Sequence, residues 1–270
     1  MNENTQTKPK IALALGAGGS RGFAHIGILK AFEEENIPID IITGASIGAI
    51  VGGLYAAGVP IKEIKHKATT MRRMQFMDIT LPSKGGFIKG ARAVKFLNEI
   101  LEQSGAATTF SRTKIKFGCV ATDLVAGQSV ELTKGQLMPA IHASFAIGGV
   151  FKPVKQNGML LVDGGPLCRV PVRLARKLGA DVVVGVDCAG PTIPVKPSSL
   201  GNYVDILTRH LLILEYASSK HEIEESDYLI SMIQSNIDPM KLDFAKESIE
   251  NGYQEGKKMA KRLKQDIKNL

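Results

Sequence analysis

A serine between two glycines, Gly44-Ala45-Ser46-Ile47-Gly48, is the clearest chemical signal in the chain. A G-x-S-x-G spacing lets the backbone turn sharply from strand to helix while presenting the serine oxygen, because glycines on either side remove β-carbons that would clash. The residues before it, Asp40–Thr43, read as strand, and those from about Ser46 to Ala57 as helix, ended by Gly58-Val59-Pro60. A helix beginning at Ser46 points its partial positive end at the serine oxygen, where it favours an alkoxide or oxyanion. A second glycine run, Gly16-Ala17-Gly18-Gly19-Ser20-Arg21-Gly22, follows the apolar segment Lys10–Leu15. Its backbone N–H groups, placed beside Ser46, would make an oxyanion hole. It does not read as a nucleotide loop: Arg21 stands where a dinucleotide fingerprint starting at Gly16 needs its third glycine, and no G-K-[S/T] follows.

Such a serine needs a base. None of the five histidines (His25, His66, His142, His210, His221) follows a late acidic residue with strand-end context in the Ser, Asp, His order of an ordinary α/β-hydrolase. His210 is the best candidate by order, yet it lies in the apolar helical run Ile206–Leu214, and His25 reads as a packing residue of the first helix. Asp163 ends the apolar run Met159-Leu160-Leu161-Val162 and precedes Gly164-Gly165, so it is either a strand-end carboxylate or a plain Asp-Gly turn. An ordinary aspartate, titrating near about 3.9, is a poor base for an alcohol unless burial raises it.

The elements that must position these residues alternate. The first sixty residues read β-α-β-α, with a helix Phe23–Glu35 between the two strands, which implies a parallel sheet with right-handed crossovers. Adjacent parallel strands bring both glycine loops to one carboxyl edge, where open α/β sheets bind ligands. Residues 62–111 read as a helical, lid-like insertion containing Met71, Met74 and Met77 and a helix Ala91–Gln103; the methionines fit either a lipid-facing lid or core packing. Strands are expected at Lys114–Thr122 and Ser129–Leu132, and a helix near Met138–Phe145. Met159–Val162, helix Val172–Leu178 and Val182–Val186 read as a further βαβ unit. After Pro191 the chain reads as helical, around a short apolar piece at Tyr228–Met232.

The 21 uncharged residues Ile41–Ile61 are long enough to span a bilayer, but they hold five glycines and a proline and few strongly apolar side chains. A buried strand-turn-helix accounts for them better. Hydrophobic residues at 44% and charged residues at 22% exclude a collagen, a disordered tail and a polytopic membrane protein. Three dispersed cysteines (Cys119, Cys168, Cys188) encode neither a disulfide scaffold nor a zinc site and fit a reducing cytoplasm. Five apolar residues, Ile11–Leu15, are short for a signal-peptide core of about 7–15. The net charge of +8 and the basic C-terminal helix expected over Gly256–Leu270 suit either peripheral contact with an anionic membrane or a solvated face.

The glycine loop Ile11–Leu29, the Gly44–Gly48 serine motif, the segment Ala143–Pro153 and Asp163-Gly164-Gly165, in this order, resemble the bacterial patatin-like phospholipase family over about residues 11–190. The resemblance implies a three-layer α/β/α fold with a mainly parallel central sheet and a helical C-terminal extension. The expected layout is a flexible 1–9, a catalytic core 10–190 and a C-terminal region 191–270. It further implies a Ser46 nucleophile, Asp163 as general base without a histidine, and Gly18 and Gly19 as oxyanion donors. Gly16, Gly22, Gly44, Gly48, Gly164 and Gly165 shape the turns, and Arg21 orders the loop or meets a phosphate. The family loop usually has glycine where Ala17 stands. The implied substrate is a lipid acyl ester, a phospholipid or lysophospholipid, with no metal, no organic cofactor and no nucleic acid. Acyl transfer by the same dyad, or a regulatory protein retaining the fold, are the alternatives.

Overall fold

β1 (Ile11–Leu15) is buried on both faces, and its alternating side chains define the layers. Ile11, Leu13 and Leu15 enter the larger core, while Ala12 and Ala14 face a thinner one with Val170, Val172 and Val183. The computed structural model describes residues 8–72, 79–83, 86–234, 236–238 and 241–267. β1 leads through a 3-10 turn, Gly19–Phe23, into α1 (Ala24–Glu34), β2 (Ile41–Gly44), α2 (Ile47–Ala57) and α3 (Ile61–Thr70). A hairpin β3 (Ile79–Ser83) and β4 (Gly86–Ile88) precedes α4 (Ala91–Gln103). β5 (Lys116–Asp123), β6 (Gln128–Leu132), α5 (Leu137–Phe145), β7 (Val154–Gln156) and β8 (Met159–Asp163) follow. The rest is α6 (Val172–Lys177), β9 (Val182–Asp187), α7 (Tyr203–Glu224), β10 (Tyr228–Ser231) and α8 (Ala245–Asp266).

Among the described residues the main sheet has the order β10-β9-β1-β2-β5-β8-β7, with β6 also on β5. The first five strands of that order are parallel and the rest antiparallel. α1, α2 and α8 cover one face, and α6 with α7 the other. This is the expected three-layer α/β/α fold.

Four local expectations change. β8 runs antiparallel to β5 and is separated from β9 by three strands, so β8-α6-β9 is not a βαβ unit. The helix expected from Phe23 starts earlier as a 3-10 turn. The insertion 62–111 is not wholly helical, since it contains the β3–β4 hairpin; Met74 and Met77 lie outside the described residues. The apolar piece at Tyr228 is an edge strand: β10 pairs with β9, Tyr228 opposite Val184.

The C-terminal helix begins at Ala245 and not Gly256, and it is anchored on α1. A β-carbon on Gly252 would lie 2.0 Å from the Ala24 carbonyl oxygen, so the two helices meet backbone to backbone. Lys257 and Lys264 both pair with Glu35, and Arg262 lies over the Tyr228 ring at 5.1 Å, so part of the basic stretch binds the protein's own surface. No helix among the described residues is long and apolar enough to cross a membrane.

Candidate active site

The parallel pairing of β1 with β2 places Leu15 opposite Gly44, so both glycine loops leave the sheet side by side. At the second loop the chain turns sharply: Ser46 has φ +54° and ψ −120°, a conformation rare for a residue with a side chain. A β-carbon at Gly48 would sit 2.1 Å from Leu15 O, which is why α2 can start so close under the first loop. The first loop is pinned by Gly16 N donating to Val186 O (2.9 Å) and Ala17 N donating to Arg169 O (2.9 Å). The Ala17 amide is thereby occupied. Gly18 and Gly19 have no backbone acceptor among the described residues. Gly19 lines the same cavity as Ser46, and Gly22 packs against Ile47.

Ser46 Oγ donates to Asp163 Oδ2 at 2.5 Å, with both residues under a tenth exposed. Asp163 comes from the end of β8, and its other oxygen, Oδ1, accepts from Gly165 N at 2.8 Å. The antiparallel direction of β8 delivers this carboxylate to Ser46. Burial pushes the Asp163 carboxyl up to about 6, against the opposing pull of the Ser46 hydroxyl and the Gly165 amide. The group is therefore a stronger base than an exposed aspartate and is still mostly ionised at neutral pH.

The histidines lie elsewhere. His25 is fully buried, and its Nε2 contacts the Gly16 carbonyl at 2.8 Å. A carbonyl only accepts, so Nε2 carries the proton. Burial lowers this histidine to about 4, so the ring is neutral and braces the loop. His210 and His221 are exposed on α7, and His66 is on α3.

Two contributors escaped the sequence reading. Ser144, at the end of α5, accepts from Ser46 N at 3.0 Å and so holds the nucleophile turn. The Ala143–Pro153 segment contained it, but nothing in its composition gave that serine a role. Glu215 projects from α7, and a β-carbon at Gly165 would lie 3.1 Å from Asp163 Oδ1 and 3.2 Å from Glu215 Oε1. Both carboxyls therefore flank one α-carbon. Burial, then the charge of Asp163, raise Glu215 to about 8, with Arg169 opposing, so at neutral pH Glu215 holds its proton and Asp163 is the anion. The only sequence trace of Glu215 is an acidic residue directly after the apolar run ending at Leu214.

This carboxyl pair has a thermodynamic consequence. Asp163 titrates near 3.8 when unfolded and about 6 when folded, and Glu215 near 4.5 and about 8. Through those windows the unfolded chain releases protons that the folded chain keeps, so rising pH favours unfolding by about 1.4 kcal/mol per pH unit for each proton. Stability from this site is therefore expected to fall between about pH 4 and pH 8. Glu215→Gln should flatten the upper part of that fall, read as denaturation midpoints across the range.

Ser46 opens into an apolar cavity of about 1020 Å³ including its mouth. Its walls include Ile26 of α1, Ile50 and Leu54 of α2, Ala68 of α3, and Leu97 and Ile100 of α4. Met71 also lines it, so the insertion supplies part of the wall. No cluster of metal-ligating side chains occurs among the described residues.

Comparison with known proteins addresses the family and the fold. The chain is 36% identical over 209 residues to an uncharacterized NTE family protein of Mycobacterium tuberculosis, covering 75% of this chain and 57% of that one. It is 35% identical over 189 residues to the lysophospholipase nte1 of Neurospora crassa, covering 66% of this chain and 12% of that one. The chain thus spans little more than half of the mycobacterial relative and a small part of the fungal one. In fold it resembles VipD from Legionella pneumophila, with a TM-score of 0.58 at 14% identity, covering 95% of this chain and 67% of VipD. The patatin-like phospholipase family profile matches residues 13–176, more than half of the chain. With that match, the chain belongs to the patatin-like phospholipase family.

Proposed function

We propose that the protein is a serine acyl hydrolase that cleaves lipid acyl esters through Ser46 and Asp163. The observation that carries this reading is the 2.5 Å Ser46–Asp163 hydrogen bond on the wall of an apolar cavity. Ser46 Oγ attacks the ester carbonyl carbon as Asp163 takes its proton. The carbonyl oxygen becomes an oxyanion, and the Gly18 and Gly19 amides are the donors available to it. Collapse breaks the ester C–O bond, the leaving alkoxide receives the proton from Asp163, and the acyl group stays on Ser46. A water then attacks the acyl carbon while Asp163 takes a proton from it. The fatty acid leaves, and Ser46 Oγ recovers the proton from Asp163. Relatives named lysophospholipase support an ester of this class.

Hydrolysis of a panel of monoacyl lipids and simple esters, with the fatty acid quantified, tests the reading. Release from none of them would refute it. The cavity adds a chain-length expectation. Ala68→Trp fills space beside Met71 and Ile64 and displaces two or three methylenes of a long chain, each worth about 0.8 kcal/mol of burial. Long-chain kcat/KM should fall by about 30-fold relative to a short-chain ester across a series of 4-nitrophenyl esters.

A further inference from the structure

A second cavity lies on the other side of the Gly19–Phe23 turn, about 490 Å³ including its mouth. Three arginines from three separate parts of the chain line it: Arg21 from the turn, Arg169 after β8 and Arg209 on α7. No acidic residue lines it among the described residues. The carboxylates that face these arginines are Asp187, bound to Arg169 NH2 at 2.6 Å in a fully buried pair, and Asp238, whose charge acts on Arg21. The protonated Glu215 adds no charge at neutral pH. Among the described residues, three guanidinium groups thus meet two carboxylates.

The arginines are held in place by backbone oxygens. Arg21 Nε donates to Ile237 O at 2.9 Å, Arg209 NH2 to Ile193 O at 2.6 Å, and Arg169 NH2 also to Gly190 O at 2.6 Å. Arg169 is 1% exposed, and among the described residues its Nε and the Gln234 Oε1, both sealed from solvent, have no hydrogen-bond partner. Asp187 meets the charge of Arg169, whereas among the described residues the Arg209 guanidinium is held by a backbone carbonyl and no carboxylate, which leaves positive charge on this cavity for an anion to meet. Burial and the charges of Arg169 and Arg209 hold the Arg21 guanidinium below its ordinary value, a mutual repulsion that a bound anion would relieve.

The cavity also adjoins the ester site. Ala189, on its wall, lies 3.6 Å from where a β-carbon on Gly18 would stand, while Gly19 lines the apolar cavity. We propose that Arg169, Arg209 and Arg21 form a receptor for the phosphate of a lipid headgroup, so that the acyl chain and the phosphate occupy cavities on opposite sides of the oxyanion loop. Guanidinium groups match phosphate oxygens with paired donors, whereas a neutral acylglycerol would leave the arginines unpaired. The inference rests on the acyl-ester reading above and assigns residues of this chain to the headgroup of such a lipid.

The test compares monooleoylglycerol with its phosphate ester, two substrates that differ only in the phosphate, on wild type, Arg209→Gln and Arg169→Gln. Wild type is expected to favour the phosphate ester, and Arg209→Gln to reduce the ratio of the two kcat/KM values by about tenfold, mainly through KM. Arg209 is half-buried, which guards against Arg169→Gln failing to fold when its buried partner is lost. An unchanged ratio in Arg209→Gln would overturn the proposal. A calorimetric titration with glycerol phosphate, beside one with inorganic phosphate, separates this outcome from failure of the hydrolase reading. If no ester is cleaved but glycerol phosphate binds wild type and binds Arg209→Gln about tenfold more weakly, the receptor stands alone. Binding of inorganic phosphate without glycerol phosphate would make this a free-phosphate site and overturn the headgroup assignment.

Discussion

Ser46→Ala is expected to lower ester turnover by about 10⁴-fold or more while leaving the fold intact. The lost oxygen is the atom that would form the acyl-enzyme, and in serine hydrolases removing it leaves only the catalysis supplied by oxyanion donors and binding. The neighbourhood tolerates the change, because Ser46 is held through its backbone N–H on Ser144 as well as through its side chain. A companion variant separates chemistry from strain. Ser46 sits at φ +54°, where any β-carbon is unfavourable, so Ser46→Gly should be more stable than Ser46→Ala by about 1–3 kcal/mol while being equally inactive. Denaturation midpoints and turnover of the two variants read both effects. Turnover by Ser46→Ala within tenfold of wild type would remove the serine from the mechanism.

Asp163→Asn is expected to cost about 10³–10⁴-fold in kcat with little change in KM. The amide preserves the shape and can still accept the Gly165 N–H through its oxygen. It cannot take the Ser46 proton, and its NH₂ faces Ser46 Oγ where a carboxylate oxygen accepted before. In wild type the rate should rise with pH around the Asp163 midpoint of about 6, since only the ionised form is a base. Any residual rate in the variant should lack that rise. Stability should move the other way: a buried carboxylate held above its ordinary value is a cost at neutral pH, and Asn removes it. An inactive protein at least as stable as wild type at about pH 7 is the expected combination. Loss of activity together with gross unfolding would leave the aspartate a structural role instead.

Much of this site was legible in the residues themselves, for physical reasons. A nucleophile turn demands glycines on both sides, so Gly44 and Gly48 mark it; their missing β-carbons are where the structure has Ala49 and Leu15 backbone. Asp163 was visible because an apolar strand that ends in Asp-Gly-Gly leaves its carboxylate at the sheet edge. The direction of β8 was not visible, because a short apolar strand carries no mark of whether it runs parallel or antiparallel to its neighbour. The sequence reading made β8 part of a βαβ unit; instead it pairs antiparallel with β5, Asp163 opposite Ala121.

Residues that act through tertiary contact were the hardest to see. Ser144 and Glu215 come from α5 and α7, and each matters through what lies against it 50 or more residues away, while Arg169, after β8, matters through Asp187 at the end of β9. The basic C-terminus was only partly legible for the same reason. Counted along the chain its lysines form a charged face, but Glu35, at the C-terminal end of α1, holds Lys257 and Lys264. The hairpin of β3 and β4 was hidden in a stretch that reads as loosely helical, because short apolar runs there do not separate helix from strand.

The most direct test of the central claim is covalent. Incubating the protein with a fluorophosphonate and mapping the adduct by mass spectrometry should place a single phosphonyl group on the peptide carrying Ser46. That adduct should be absent in Ser46→Ala, and it should form far more slowly in Asp163→Asn. An unmodified wild-type protein, or an adduct that persists in Ser46→Ala, would contradict the assignment of Ser46 as the nucleophile.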